Sequence, residues 1–145
     1  MSEHFVPQVD QSERMSCWAA STAMMMGWYN SQSIPEDAIL EQFRHFGYDG
    51  TDSSEAMQLA NAVGLSVIAG ACRTDEDWRR LIDRGPLMVG IPGHWIVVSG
   101  YNGEGDAMQM YVHDPARGEF WADWTQVESL YEMQPDFVCD LMQYP

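Results

Sequence analysis

Residues 11–20 read Gln11-Ser12-Glu13-Arg14-Met15-Ser16-Cys17-Trp18-Ala19-Ala20 (QSERMSCWAA): a polar, charged loop turns into an apolar run, with a cysteine at the turn. Ser16 is a candidate N-cap, and Cys17 through Tyr29 then reads as a helix. Trp18, Thr22, Met25, Met26 and Tyr29 recur at helical spacing, and Ala20, Met24 and Gly27 make the opposite side small or apolar. A helix apolar on most of its surface is a buried one, so this segment is the expected centre of the fold.

Around it the pattern divides. Residues 1–15 read as an extended lead-in broken by Pro7. Pro35 fits the first turn of a second helix ending near Gly47. Asp52 and Glu55 form a capping-box pattern for a helix over Ser53–Val63, with Gly64 just past its end. Leu65–Ile68 reads as a short strand, and Thr74 caps a helix over Asp75–Arg84 closed by Gly85. Thereafter Leu87–Ile91, Trp95–Gly100, Met108–His113 and Phe120–Trp124 alternate or run apolar between Gly, Pro and Asn-Gly, as strands of an antiparallel sheet do. Thr125 and Glu128 imply one short helical turn, and Phe137–Met142 a last strand. Helices first and sheet second is an α+β layout, here a single domain over residues 1–145.

The chain of 145 residues is 46% apolar, with six Trp and eleven Met, enough for a dense core. Its net charge of −15 argues against nucleic acid and against an anionic membrane surface, because the seven Lys and Arg form no patch. Basic partners would be attracted. The polar, acidic start lacks the basic and apolar regions of a Sec-type signal peptide, and no window approaches a membrane span. Cys17, Cys72 and Cys139 are odd in number and far apart, so neither a disulfide framework nor a zinc ribbon is expected. A reducing cytoplasm is the expected compartment, with signal-independent secretion left open, and the initial Met favours a whole chain.

Four positions could carry chemistry. A free cysteine titrates near pH ~8.5, and a helix N-terminus or a neighbouring imidazolium favours its thiolate. Cys17 has the first of these settings, although a small core cysteine would look the same; Cys139, in an apolar strand, reads as core. Among the histidines, His4 lies in a mobile lead-in and His45 suits a helix end. His94 follows Gly93 and opens a strand in GHWIVVSGY, while His113 closes the next strand in VHDP. A catalytic imidazole needs an acceptor for its second nitrogen, and Asp114 is available. Adjacent strand residues face opposite sides, so if Asp114 faces His94, His113 points away. Gln11, six residues before Cys17, could offer an amide donor to an oxyanion beside the Cys17 backbone N–H.

Gln, Cys-Trp, His and Asp in this order resemble the papain-like cysteine proteases. QSERMSCWAA, GPLMVGIPGHWIVVSGY and VHDP look most like the short bacterial members, the avirulence-type effector proteases and related toxin domains of antibacterial secretion systems. The resemblance implies a papain-like fold, with an N-terminal helical half carrying Cys17 packed on an antiparallel sheet carrying His94 and Asp114. It implies Cys17 as nucleophile, His94 as general base and then acid, Asp114 as the orienting residue and Gln11 in the oxyanion hole. Trp18, Gly93 and Trp95, beside the nucleophile and base, are candidate substrate contacts. No cofactor and no metal is implied. The partners implied are a protein substrate and, for a secreted toxin, a cognate immunity protein over the Cys17–His94 groove. Ser12 and His113 depart from the family's usual Pro and Asn.

Two other readings compete. A peptidoglycan amidase of the Cys-His type would use His113 as orienter, and an acidic binding module would use none of these residues. Deamidation of a partner's glutamine would use the same set. Thr51–Ala56 and Gly103–Asp106 are the expected rims of the cleft.

Overall fold

The computed structural model describes residues 2–13, 16–43, 53–68, 74–133 and 141–145. Among them, helix α1 (Cys17–Asn30) runs through the interior, followed by α2 (Glu36–Gln42), α3 (Ser53–Val63), α4 (Asp75–Arg84) and α5 (Trp124–Glu132). Strands β1 (Ser2–Glu3), β2 (Ser66–Val67), β3 (Leu87–Ile91), β4 (His94–Asn102), β5 (Gln109–Asp114), β6 (Gly118–Asp123) and β7 (Leu141–Gln143) form one antiparallel sheet. Its order is β2-β7-β3-β4-β5-β6, with β1 paired to β4 beyond the end of β3.

Helix α1 is buried from Cys17 to Met25, with Ala19, Ala20 and Ala23 fully covered. It packs with α2 and α3 on one face of the sheet, against Met88, Trp95, Val97 and Met142. The residues between these, Leu87, Val89, Ile96, Val98 and Leu141, face the other way and meet Trp78 and Ile82 of α4 and Trp124, Val127 and Tyr131 of α5. A sheet covered on both faces explains why β3 and β4 read as continuous apolar runs rather than alternating ones. The helix-then-sheet expectation holds for the central elements. It misses this second layer, because the sequence assigns α4 no side of the sheet and reads α5 as a single turn until the strands they cover are known. Trp78 Nε1 donates to Glu128 Oε2 at 2.6 Å and joins those two helices beneath the sheet.

Several local expectations are corrected. Ser16 stands at the α1 cap position, but its hydroxyl makes no cap bond; only its carbonyl accepts Ala19 and Ala20 N–H. Tyr29, placed on the buried stripe, is 59% exposed and stacks on Tyr144 at 4.1 Å. Pro35 precedes α2 as its cap, and α2 closes at Gln42; residues 44–52, with His45, Asp52 and the start of the Thr51–Ala56 rim, lie outside the described residues, as do Cys72 and Cys139. Thr74 does cap α4, accepting Asp77 N–H at 3.1 Å. The single turn expected after Thr125 is a nine-residue helix, because Val127 and Tyr131 recur at helical spacing and are both buried against the sheet. His4 is pinned rather than mobile: its Nε2 donates to Ile82 O at 2.6 Å and its ring packs edge-on to Trp28.

The N-terminal strand depends on one glycine. A Cβ on Gly100 would lie 2.7 Å from Ser2 O and 3.1 Å from Glu3 Cα, both backbone atoms. Gly100→Ala therefore displaces β1 from β4 and costs about 1–3 kcal/mol. Thermal unfolding should fall by several degrees, with faster amide exchange confined to residues 2–4. An unchanged melting temperature would show that β1 contributes nothing.

Candidate active site

The β3–β4 hairpin turns through Pro92-Gly93, with Ile91 paired to His94 and Gly93 at φ 67°. Proline followed by a residue of positive φ is the chemistry of a type II turn. It leaves His94 as the first residue of β4, at the end of the sheet. Cys17 is the first residue of α1. The two are brought together by packing across the layers: Ser21, one turn after Cys17, donates to Trp95 O at 3.2 Å, next to His94.

On β4 and β5, Val97 pairs with His113 and Val98 with Val112. Pleating then puts Asp114 on the face of Ile96 and His94, and His113 on the face of Val97. Asp114 Oδ1 lies 2.6 Å from His94 Nε2 and also accepts Ala116 N–H at 2.8 Å, which ties the carboxylate to the β5–β6 turn. The carboxylate is 6% exposed and the imidazole 20%. His113 sits on the other side, with Nε2 2.8 Å from Ser99 Oγ and Nδ1 3.1 Å from Gln8 Oε1. That ring is buried and turned from His94, so it does not reach the imidazole it would have to orient in an amidase.

The imidazole of His94 is raised from the usual 6.5 to about 9, by the hydrogen bond to Asp114 first and then by Cys17, with burial opposing. Asp114 moves the other way. Burial pushes its carboxyl up, but His94, the Ala116 N–H and Arg117 together outweigh that and hold it below the usual 3.8. Burial lowers His113, against a smaller upward pull from Glu119. Thus the ring beside Cys17 holds its proton in neutral solution and the buried one tends to lose it.

Gln11 lies on the loop before α1. Its backbone N–H donates to Pro115 O at 2.9 Å, which stitches this loop to the turn after Asp114. Its side-chain Nε2 donates to Glu13 O at 2.8 Å. A cavity of about 560 Å³ opens between residues 10–13 of this loop and residues 115–118 of the turn. Gly93 is exposed at the hairpin tip. Trp18 and Trp95, proposed as substrate contacts, are 1% and 9% exposed and belong to the core around α1, so neither offers an open wall. The Gly103–Asp106 rim is also corrected: it closes β4 at the end opposite His94, eight residues or about 27 Å of strand away.

Two residues missed in the sequence hold this site. Gln8 accepts from His113 and donates to Asp114 O at 3.1 Å. Glu36 bonds the loop through Ser12 and Ser16. An acidic residue just after a proline looks like ordinary first-turn chemistry, and nothing local pointed to either. Among the described residues, no group of three or more His, Cys, Asp and Glu side chains is placed to hold a metal ion, and no helix is long and apolar enough to cross a membrane.

Residues 2–127 match the family model described as papain-like cysteine protease AvrRpt2. No curated protein matches the chain. Among solved structures, the chain is similar to a double glycine motif protease from an AMS/PCAT transporter in complex with the leader peptide. The identity is 22% and the TM-score 0.67, covering 98% of this chain and 92% of that one. It is also similar to the peptidase domain of Streptococcus ComA, a bifunctional ABC transporter involved in a quorum-sensing pathway. There the identity is 16% and the TM-score 0.64, covering 95% and 96%. These two likenesses concern the fold.

Proposed function

The chain belongs to the papain-like cysteine protease family of AvrRpt2, a peptide-bond hydrolase family, and from that premise we propose that Cys17, His94 and Asp114 are its catalytic residues. The observation that carries this is the 2.6 Å bond from Asp114 Oδ1 to His94 Nε2, which leaves Nδ1 for the thiol. In the proposed reaction the Cys17 thiolate attacks the scissile carbonyl, forming a C–S bond. The oxyanion is met by the Gln11 amide and by the Cys17 backbone N–H, which has no intrahelical partner at the start of α1. His94 protonates the leaving amine as the C–N bond breaks, then takes a proton from the water that hydrolyses the thioester.

The substrate is an extended segment of a protein. Among the described residues, the cavity beside Gln11 carries Asp10, Glu13 and Arg117, and the chain has a net charge of −15. Both support basic side chains near the cleaved bond. The transporter protease in complex with the leader peptide is a precedent for a peptide segment bound on this fold. Within this family, the reading is a bacterial effector or toxin made in the producer's cytoplasm and delivered by a signal-independent secretion system. A toxin of this kind has a cognate immunity protein over the Cys17–His94 groove.

The test is a census of new protein N-termini in bacteria expressing the wild type or Cys17→Ala. A few discrete cleavages seen only with the wild type are expected, and the residues around them name the specificity. Identical N-termini in both, with killing by the wild type only when it is directed to the periplasm, would replace selective proteolysis with the amidase.

A further inference from the structure

We propose that Glu36 is a positioning residue for the oxyanion donors, a buried carboxylate that holds Ser12, directly after Gln11, and Ser16, directly before Cys17, in the geometry acylation needs. The inference rests on the protease reading above and assigns a role to a residue outside the triad. Glu36 opens α2 and is 5% exposed. Ser12 N–H donates to its two carboxylate oxygens at 3.2 and 3.0 Å, and the Ser12 hydroxyl donates to Oε1. The Ser16 hydroxyl, whose one proton is shared between Oε2 at 3.1 Å and Glu13 O at 3.0 Å, accepts Glu13 N–H at 3.1 Å.

These bonds define what Glu36 touches: the peptide directly after Gln11 and the residue directly before Cys17. The Gln11–Ser12 segment is then held from two sides, by Pro115 O at the Gln11 N–H and by Glu36 at the Ser12 N–H. Gln11 and Cys17 carry the two proposed oxyanion donors, and a single carboxylate bonds the chain neighbour of each. Removing a charged group from the water is costly unless hydrogen bonds compensate. Here the compensating donors come from Ser12 and Ser16, so the placement of these two residues and the burial of Glu36 are two sides of one arrangement. A misplaced oxyanion donor loses most of its effect, because stabilisation depends on donors waiting at the position the oxygen will occupy.

Two reactions of the same thiol separate this role from a general structural one. Acylation by p-nitrophenyl acetate forms a C–S bond and expels p-nitrophenolate through a tetrahedral oxyanion. Alkylation by iodoacetamide expels iodide at a saturated carbon and forms no oxyanion. In Glu36→Ala the ester kcat should fall about 100-fold with KM within about twofold, the scale of losing one oxyanion donor. Alkylation of Cys17 at pH 7 should stay within about threefold of wild type or rise, since an anion has been removed. Glu36→Gln keeps one acceptor oxygen for Ser12 and should lose only about tenfold on the ester; it decides the matter if the alanine variant shows no cooperative unfolding. Equal loss in both reactions, or loss in neither, overturns the positioning role. Ester turnover by Cys17→Ala at the wild-type rate would instead sink the protease reading itself, independently of Glu36.

Discussion

Cys17→Ala is expected to abolish cleavage, by ~10⁴-fold or more, and to leave the fold intact. Cys17 is 5% exposed and belongs to the core around α1, so an alanine fits its space. Melting should stay within a few degrees of wild type, which separates lost chemistry from lost structure. His94→Ala is expected to fall as far, and the double variant no further, because nucleophile and base act as one unit. The rate of appearance of the new N-termini measures all three. The same pair is visible without a substrate. An imidazole raised to about 9 stays protonated at pH 6 and provides a cation beside the thiol. Iodoacetamide should therefore label wild-type Cys17 at pH 6 faster than an ordinary thiol, and His94→Ala should remove the advantage. Equal labelling rates would mean that the thiol and imidazole do not work together.

The second large effect is at Asp114. Asp114→Asn keeps the size of the side chain and removes the charge that most raises His94. In a comparable triad the same exchange costs ~10⁴ in kcat, through the wrong tautomer of the histidine; here a loss of about 10²–10⁴ is expected, as the Cys17 thiol needs less help than a hydroxyl. The alkaline limb of the rate should also move down from about 9 toward 6.5 as His94 loses its anionic partner. Stability carries a matching signature. Because the native imidazole is raised above 6.5, its contribution is full below pH 6.5 and fades as pH rises through about 9. Because the native carboxyl is lowered below 3.8, its contribution is present above that value and is lost as pH falls through the native one. The difference in stability between wild type and Asp114→Asn should therefore be larger at pH 6 than at pH 10. A difference that does not change with pH, together with an unmoved alkaline limb, would show that Asp114 does not hold His94 as an ion pair.

His113 gives a third view of the same geometry. Its neighbour in sequence is a member of the site, yet its own ring bonds Ser99 and Gln8 on the other face of β5. One residue of register separates the two roles, and in a pleated strand one residue is a change of side. The bulge between Val98 and Gly100 accompanies this arrangement: the β4–β5 register shifts there, beside the Ser99 hydroxyl that meets His113.

By itself, the sequence determined the local elements and the chemical cast. The apolar surround of residues 17–29 predicted a buried central helix, and α1 is one. The boundaries of α3 and α4 follow from Thr74, Gly64 and Gly85, because caps and stops act within one turn of the chain. Cys17, His94, Asp114 and Gln11 stood out by residue type, order and position at element ends. What only the tertiary structure decided lies between residues far apart in the chain. That Asp114 and not His113 faces His94 needed the β4–β5 register; the second helical layer needed both faces of the sheet; the removal of the Gly103–Asp106 rim needed the direction of β4. Glu36 and Gln8 reach their partners 24 and about 105 residues away. Such contacts are made by packing and leave no periodicity in the sequence, since a hydrogen bond across layers depends on where two elements dock and not on the residues beside either end.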